Sequence, residues 1–211
     1  MKLILSIAFL LLINQFIFAQ GLFAPKGRSS LSLAASFPDN PDYKISSFDL
    51  SLKTQERFIF SILNSSINPN NDSELSFRTI GASIGFIKYP DSKTSKTKII
   101  IIPSATYVSS LKKNELTTFG LSISFLREFR NEKFVFIPNL NAGYQISSIK
   151  DNSSATPFWG IGLETGVILK EKVVFGGHIS LITSYNDKNT ESAASFGFSF
   201  SVFLPDENIK Q

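Results

Sequence analysis

Apolar and small polar residues alternate one by one along most of this chain, and a period of two leaves few folds open. In SFGFSFSVF, Ser195 to Phe203, the side chains of Phe196, Phe198, Phe200 and Val202 share one face of any strand built there, while Ser195, Gly197, Ser199 and Ser201 share the other. Phe119, Leu121, Ile123 and Phe125 alternate in the same way with Gly120, Ser122 and Ser124, and Trp159, Ile161, Leu163, Val167 and Leu169 oppose Gly160, Gly162, Glu164 and Gly166. No helical period competes after the opening segment, so the pattern predicts strands with two unlike faces. Ten are predicted, near residues 28–37, 45–53, 57–64, 75–87, 98–110, 116–130, 133–149, 157–169, 172–185 and 193–204.

Strand patterning alone does not say which face meets water. A soluble sandwich or ligand-binding barrel buries its apolar face, and its water-facing positions then carry many Lys, Glu, Asp and Arg. Here the polar face is mostly Ser, Gly, Thr and Asn, with charges gathered in the turns, and small uncharged residues suit a crowded barrel interior. The chain also holds 21 phenylalanines, which around a whole sheet would make an aggregation surface in water but are favourable in hydrocarbon. The apolar face is therefore expected to point outward, into lipid.

The first residues fit that destination. MKLILSIAFLLLINQFIFAQ has one Lys2, an apolar run from Leu3 to Ile13 and a short segment ending in Ala19, the layout of a secretory signal peptide (1–19) cleaved to leave a barrel domain, 20–211. Asn14 and Gln15 stop the run short of the ~20 residues a helical span needs. Cysteine is absent, so neither disulfides nor a lipid-modified cysteine can staple or anchor the fold. The net charge of +4 is scattered. Its densest cluster, Lys88, Lys93, Lys96 and Lys98, sits in a Ser/Thr/Pro/Asp turn and reads as a solvated loop, not a nucleic-acid patch.

Connections alternate in length. PDNPDYK, SSINPNNDSE, KDNSSAT and NDKNTES are long, whereas Thr54–Glu56, Asn131–Glu132 and Lys170–Glu171 are short, as in outer-membrane barrels with short periplasmic turns and longer outer loops. The link Lys88–Thr97 breaks the rule. The expected fold is all-β, a closed antiparallel up-and-down transmembrane β-barrel of about ten strands, or eight if strands three to five are miscounted. Pro103 and Pro138 fall inside strands and are expected to sit at bulges. The run Ile99 to Ile102 lacks alternation, which marks either a lumen plugged by side chains or a shorter strand.

The pattern resembles that of small outer-membrane β-barrel proteins of Bacteroidota-type bacteria (the porin-like outer-membrane barrel group) over nearly the whole mature chain. Barrels of the outer membrane typically end in polar-x-Gly-x-x-aromatic-x-hydrophobic, and Ser195, Gly197, Phe200 and Val202 match it in order, although LPDENIKQ follows Phe203. The resemblance implies outer-membrane lipid as surroundings, the barrel-assembly machinery as a partner during insertion, and a partner in the envelope reached through outer loops. Tyr144, Trp159 and Tyr185 fall at outer strand ends, where an aromatic girdle belongs.

Chemistry is sparse. His178, the only histidine, shares a face with Ser180 in GGHIS, which is similar to the His-x-Ser of lipid A deacylases, outer-membrane barrels with a Ser/His/Glu triad in which Glu191 would be third. Leu181 stands where that family has Asn, and the face is luminal, so a satisfied luminal histidine is the simpler reading. Asp49 and Glu164 are the candidate buried carboxylates, expected to pair with Arg57, Lys53 or luminal hydroxyls. No cofactor is expected: one histidine without cysteine makes no transition-metal cluster, PDNPD and NPNND lack EF-hand spacing, and Gly85, Gly160 and Gly162 open no helix. Phe158, Ile168, Val174 and Ile182 should narrow the lumen below the width of a general porin. The expectation is a non-enzymatic envelope barrel with a structural or loop-mediated role. A narrow channel and a lipid-modifying enzyme using His178 and Ser180 are the alternatives.

Overall fold

A computed structural model describes residues 28–39, 43–54, 57–70, 76–89, 97–110, 115–149, 152–186 and 189–205. The expected signal peptide lies outside them. Eleven strand segments follow one another: β1 (Ser30–Pro38), β2 (Tyr43–Lys53), β3 (Phe58–Pro69), β4 (Phe77–Lys88), β5 (Thr97–Ser110), β6 (Glu115–Arg127), β7 (Phe129–Arg130), β8 (Phe134–Ile149), β9 (Asn152–Leu169), β10 (Val173–Asn186) and β11 (Asn189–Phe203). Each pairs antiparallel with its neighbours, β1 pairs with β11, and β6 also pairs with β8, so the sheet closes into a ten-stranded barrel with β7 a stub below β6.

The register fixes the shape of the cylinder. Followed from Asp49 partner by partner, it reaches Ser147 of β8 through Leu63, Gly81, Thr106 and Thr118, and in the other direction Val135 of β8 through Ala34, Ser199, Gly176 and Gly166. Those arrivals are twelve residues apart, which is the stagger of the wall. With ~3.3 Å per residue and ~4.8 Å between strands, ten strands at that stagger tilt by about 40° and enclose a radius of about 10 Å.

Both chain ends of the described barrel lie at one rim, with the turns between β2 and β3, β6 and β8, and β9 and β10; this is the rim that the sequence pattern assigns to the periplasm. The turns are built locally. Lys170 and Glu171 both take positive φ (50° and 55°), and Lys172 N–H donates to the Leu169 carbonyl at 3.1 Å, a two-residue turn whose twist suits a hairpin. Asn131 accepts from the backbone N–H of Lys133 and Phe134 through its side-chain oxygen, at 2.8 and 2.7 Å.

Two expectations change and one open alternative is resolved. The predicted outer loops KDNSSAT and NDKNTES are mostly wall, since β8 and β9 pair up to Ile149 and Asn152, and β10 and β11 up to Asn186 and Asn189. Their polar residues continue the ladder beyond the apolar belt, where both faces can be polar. The prolines carry no bulge. β4 and β5 keep one register on either side of Pro103, from Ser83–Ser104 to Phe86–Ile101, and only the rungs between are missing. Opposite Pro138 the ladder from β8 stops at Leu126–Asn139 and resumes in the same register at Phe129–Phe136, which is why β6 and β7 are separate. The isoleucine run is full-length strand, with Ile100 and Ile102 buried inside and Ile101 exposed outside.

Candidate functional site in the barrel lumen

The outer face is apolar. Phe48, Ile62, Phe119, Phe125, Ile179, Phe196 and Phe198 are all exposed, and so are Phe200 and most of their same-face neighbours. Tyr144, Trp159 and Tyr185 are exposed on this face toward the distal rim, and the Trp159 indole N–H donates to the Tyr185 hydroxyl at 2.9 Å. Tyr107, which sequence reasoning passed over, is exposed there too.

The inner face is uneven: the lower rim carries buried Ser30, Ser32, Ser51, Lys53 and Ser201 on β1, β2 and β11, with an apolar cluster on the strands opposite. Toward the periplasmic rim, Ile59, Leu63, Ile87, Ile100, Ile102, Leu126, Val135, Ile137, Val174 and Phe203 form one buried apolar cluster, with Tyr89 and Ile168 packed against it. Higher up the lining is mostly Ser, Thr, Asn and Gln, with Asp49, Glu164 and His178 among them, and is interrupted by buried Ile45, Ile67, Phe77, Val108, Phe158 and Ile182. Glycine makes room for the bulk: a Cβ on Gly143 would run into the Phe158 ring and the Leu121 carbonyl. Most luminal side chains are buried, but Ser104, Ser122, Asn139, His178 and Ser180 at mid-wall are half-buried, so water-sized space remains beside them.

Below the apolar cluster sits an ion group that the sequence reading missed. Lys98, read as part of a solvated loop, is 2% exposed and pairs with Glu128 at 2.5 Å, and the Arg130 guanidinium meets the other oxygen of Glu128, also at 2.5 Å. The signal was phase: Lys98 lies two residues before luminal Ile100, and Glu128 two after luminal Leu126. Burial alone would raise the Glu128 pKa, but the charges and hydrogen bonds of Lys98 and Arg130 outweigh it and hold the carboxyl below its usual range. Burial, helped by the Glu128 charge, pushes the Tyr89 hydroxyl up to about 12. Lys53, also buried, donates to the Arg28 carbonyl at 2.8 Å.

The two candidate carboxylates do not find the partners expected of them. Asp49 is 1% and Glu164 2% exposed, and neither oxygen of either side chain has a hydrogen-bond donor. Arg57 is exposed in a turn, at φ 91°. Ser51 lies beside the Asp49 carboxyl without meeting hydrogen-bond geometry. Glu164 and His178 are direct cross-strand partners. His178 is half-buried in the lumen, with its ring over Gly197, where a Cβ would collide with the imidazole and with the Ala35 carbonyl. Ser180 pairs across to Gly162 and to Ser195. Glu191 pairs with Ser184, six residues along β10 from His178, or about 20 Å at strand rise. A His178/Ser180/Glu191 triad is therefore not assembled. Among the described residues no three His, Cys, Asp or Glu come together to hold a metal ion; PDNPD and NPNND fall partly outside those residues. In the closing stretch Ser195 and Gly197 face the lumen and Phe200 the outside, with Val202 half-buried on that same outer face.

No protein-family model matches the chain, and no curated protein matches it. Solved structures do. The barrel is similar to the translocator domain of autotransporter NalP from Neisseria meningitidis (TM-score 0.52, 10% identity, 95% of this chain and 97% of that one). It is also similar to the β domain of the Bordetella autotransporter Brka (TM-score 0.51, 7% identity, 85% and 100%). The NanC porin reaches a TM-score of 0.49 at 10% identity, over 82% and 100%. At such identities the likeness shows the fold. That fold is a small outer-membrane β-barrel. With its apolar exterior, which only hydrocarbon can cover, it places the protein in the outer membrane. The comparisons do not reach the narrower Bacteroidota type.

Proposed function

We propose that this barrel is a non-conducting, non-enzymatic component of the cell envelope, acting through its distal rim on an envelope partner while its lumen stays shut. The observation that carries the reading is the apolar cluster of Ile59, Ile87, Ile100, Ile102, Leu126, Val135 and Ile137 across the periplasmic half of the lumen, with the Lys98–Glu128–Arg130 group beneath it. Water and ions gain nothing from such a lining, and the absence of an assembled triad removes the strongest support for the lipid-modifying alternative. The Bacteroidota-type resemblance and the role of the closing strand in assembly rest on the sequence pattern.

Planar-bilayer recording tests the reading. The native protein should give no unitary conductance, whereas an Ile100→Ser/Ile102→Ser/Leu126→Ser variant, with its plug made polar, should conduct. Steady single-channel steps from the native protein would favour the second reading, a narrow channel, which the hydroxyl- and amide-lined distal half of the lumen supports.

A further inference from the structure

Charge is sorted to the two ends of this wall. After the opening segment only Asp49 and Glu164 stand well within it, and every other charged residue lies at a rim or in a connection. At the rim that carries both chain ends, the segments 20–29, 53–57, 88–98, 127–133, 170–172 and 204–211 hold 14 Lys and Arg against 7 Asp and Glu. At the opposite rim, the segments 38–44, 70–78, 109–115, 149–152 and 186–191 hold 6 against 8. One end of the barrel is strongly basic and the other weakly acidic.

Lys98 and Arg130 are held by Glu128 inside the lumen. Six other cations of the basic rim are exposed among the described residues: Arg57, Lys88, Arg127, Lys133, Lys170 and Lys172, with Glu132 and Glu171 as exposed acids. They follow the circumference, from the β2–β3 turn through β4 and β6 to the β6–β8 and β9–β10 turns. Lys88 and Arg127 stand on the outer face itself, each two residues beyond an outward phenylalanine, Phe86 and Phe125, or ~7 Å past it at strand rise. The Arg127 guanidinium lies over the ring of Phe129, two residues nearer the rim, at 5.4 Å from its centroid. Long basic side chains at the edge of an apolar belt carry their charge toward the headgroups. This face is the one that hydrocarbon covers, and a soluble partner does not reach it.

We infer that the basic rim selects net-negative phospholipid, such as phosphatidylglycerol, for the leaflet it crosses, independently of what the distal rim does. Lys and Arg beside a bilayer are attracted to anionic lipid within a Debye length of its surface. Cations spread around the wall match a surface that surrounds the barrel, whereas a protein partner would meet one patch of it. The acidic excess at the other rim offers such lipid no attraction, so the preference is one-sided.

The test is electron spin resonance of chain-labelled lipid in phosphatidylcholine vesicles that hold the protein purified from membranes. Labelled phosphatidylglycerol should associate with the barrel roughly two- to fivefold more than labelled phosphatidylcholine in ~10 mM salt, and about equally in ~1 M salt, where screening acts within ~3 Å. Lys88→Gln/Arg127→Gln/Lys170→Gln/Lys172→Gln should remove most of the preference, and Lys44→Gln/Arg78→Gln, exposed positions at the other rim, should keep it. Equal association of the two lipids with the native protein, a preference that survives the first variant, or one lost in the second would each overturn the inference. If equal association came with co-sedimentation on purified peptidoglycan, the basic rim would belong to the wall polymer instead. Should the fourfold variant not fold, Lys88→Gln/Arg127→Gln alone decides: a reduced preference supports the inference and an unchanged one refutes it.

Discussion

Single residues in this barrel act through what they fill or leave bare. Glu128 joins two buried cations, so Glu128→Gln leaves Lys98 and Arg130 without their counter-charge and should cost about 3 kcal/mol in urea-unfolding measurements on the lipid-reconstituted protein. Because its folded pKa lies below the unfolded value of 4.5, its contribution is present above about 4.5 and is lost as pH falls through the folded pKa. Titrating the same unfolding assay into acid should therefore show a drop in stability that Glu128→Gln lacks. Gly197 is required by contact: Gly197→Ala should destabilise by about 1–3 kcal/mol, and adding His178→Ala should recover only part, because the Ala35 carbonyl that the new methyl strikes is backbone. At this scale the sequence was legible for Asp49 and Glu164, whose inward phase follows from period two. For Lys98 the phase with Ile100 pointed inward, but the turn residues beside it pointed to solvent, and composition was given the greater weight.

Strands are where pattern carried furthest and where polarity misled. Ten strands, their order and their faces follow from alternation alone, and even the isoleucine run makes sense once Ile100 and Ile102 face the plug. The outer connections were misjudged because Ser, Thr and Asn read as loop by composition, although a wall that rises past the bilayer needs no apolar face there. Prolines were misjudged for a different reason. A missing N–H can be absorbed by a bulge or by a gap in the ladder, and sequence does not choose between them. The gap at Pro103 faces β4, while the pairing with β6 continues through Pro103–Leu121. Pro103→Val should restore a rung, slow amide exchange at Ile84, and add about 1 kcal/mol of stability.

For the whole molecule, one inversion organises everything else: the phenylalanine face is outside and the serine and glycine face inside. Closure at the observed stagger gives an interior that side chains occupy in large part, most densely at the apolar cluster around Ile100 and Ile102. Trp159, the single tryptophan of the chain, reports on that inversion without any substitution. It shares its face with Ile161 and Leu163 and lies near the distal rim, bonded to Tyr185. The decisive measurement is quenching of its fluorescence in vesicles of lipids brominated either near the headgroup or deep in the chains. Strong quenching by shallow bromines and weaker quenching by deep ones is the predicted result; fluorescence untouched by both, yet quenched by a water-soluble agent or shielded from everything, would place the apolar face elsewhere and contradict the account.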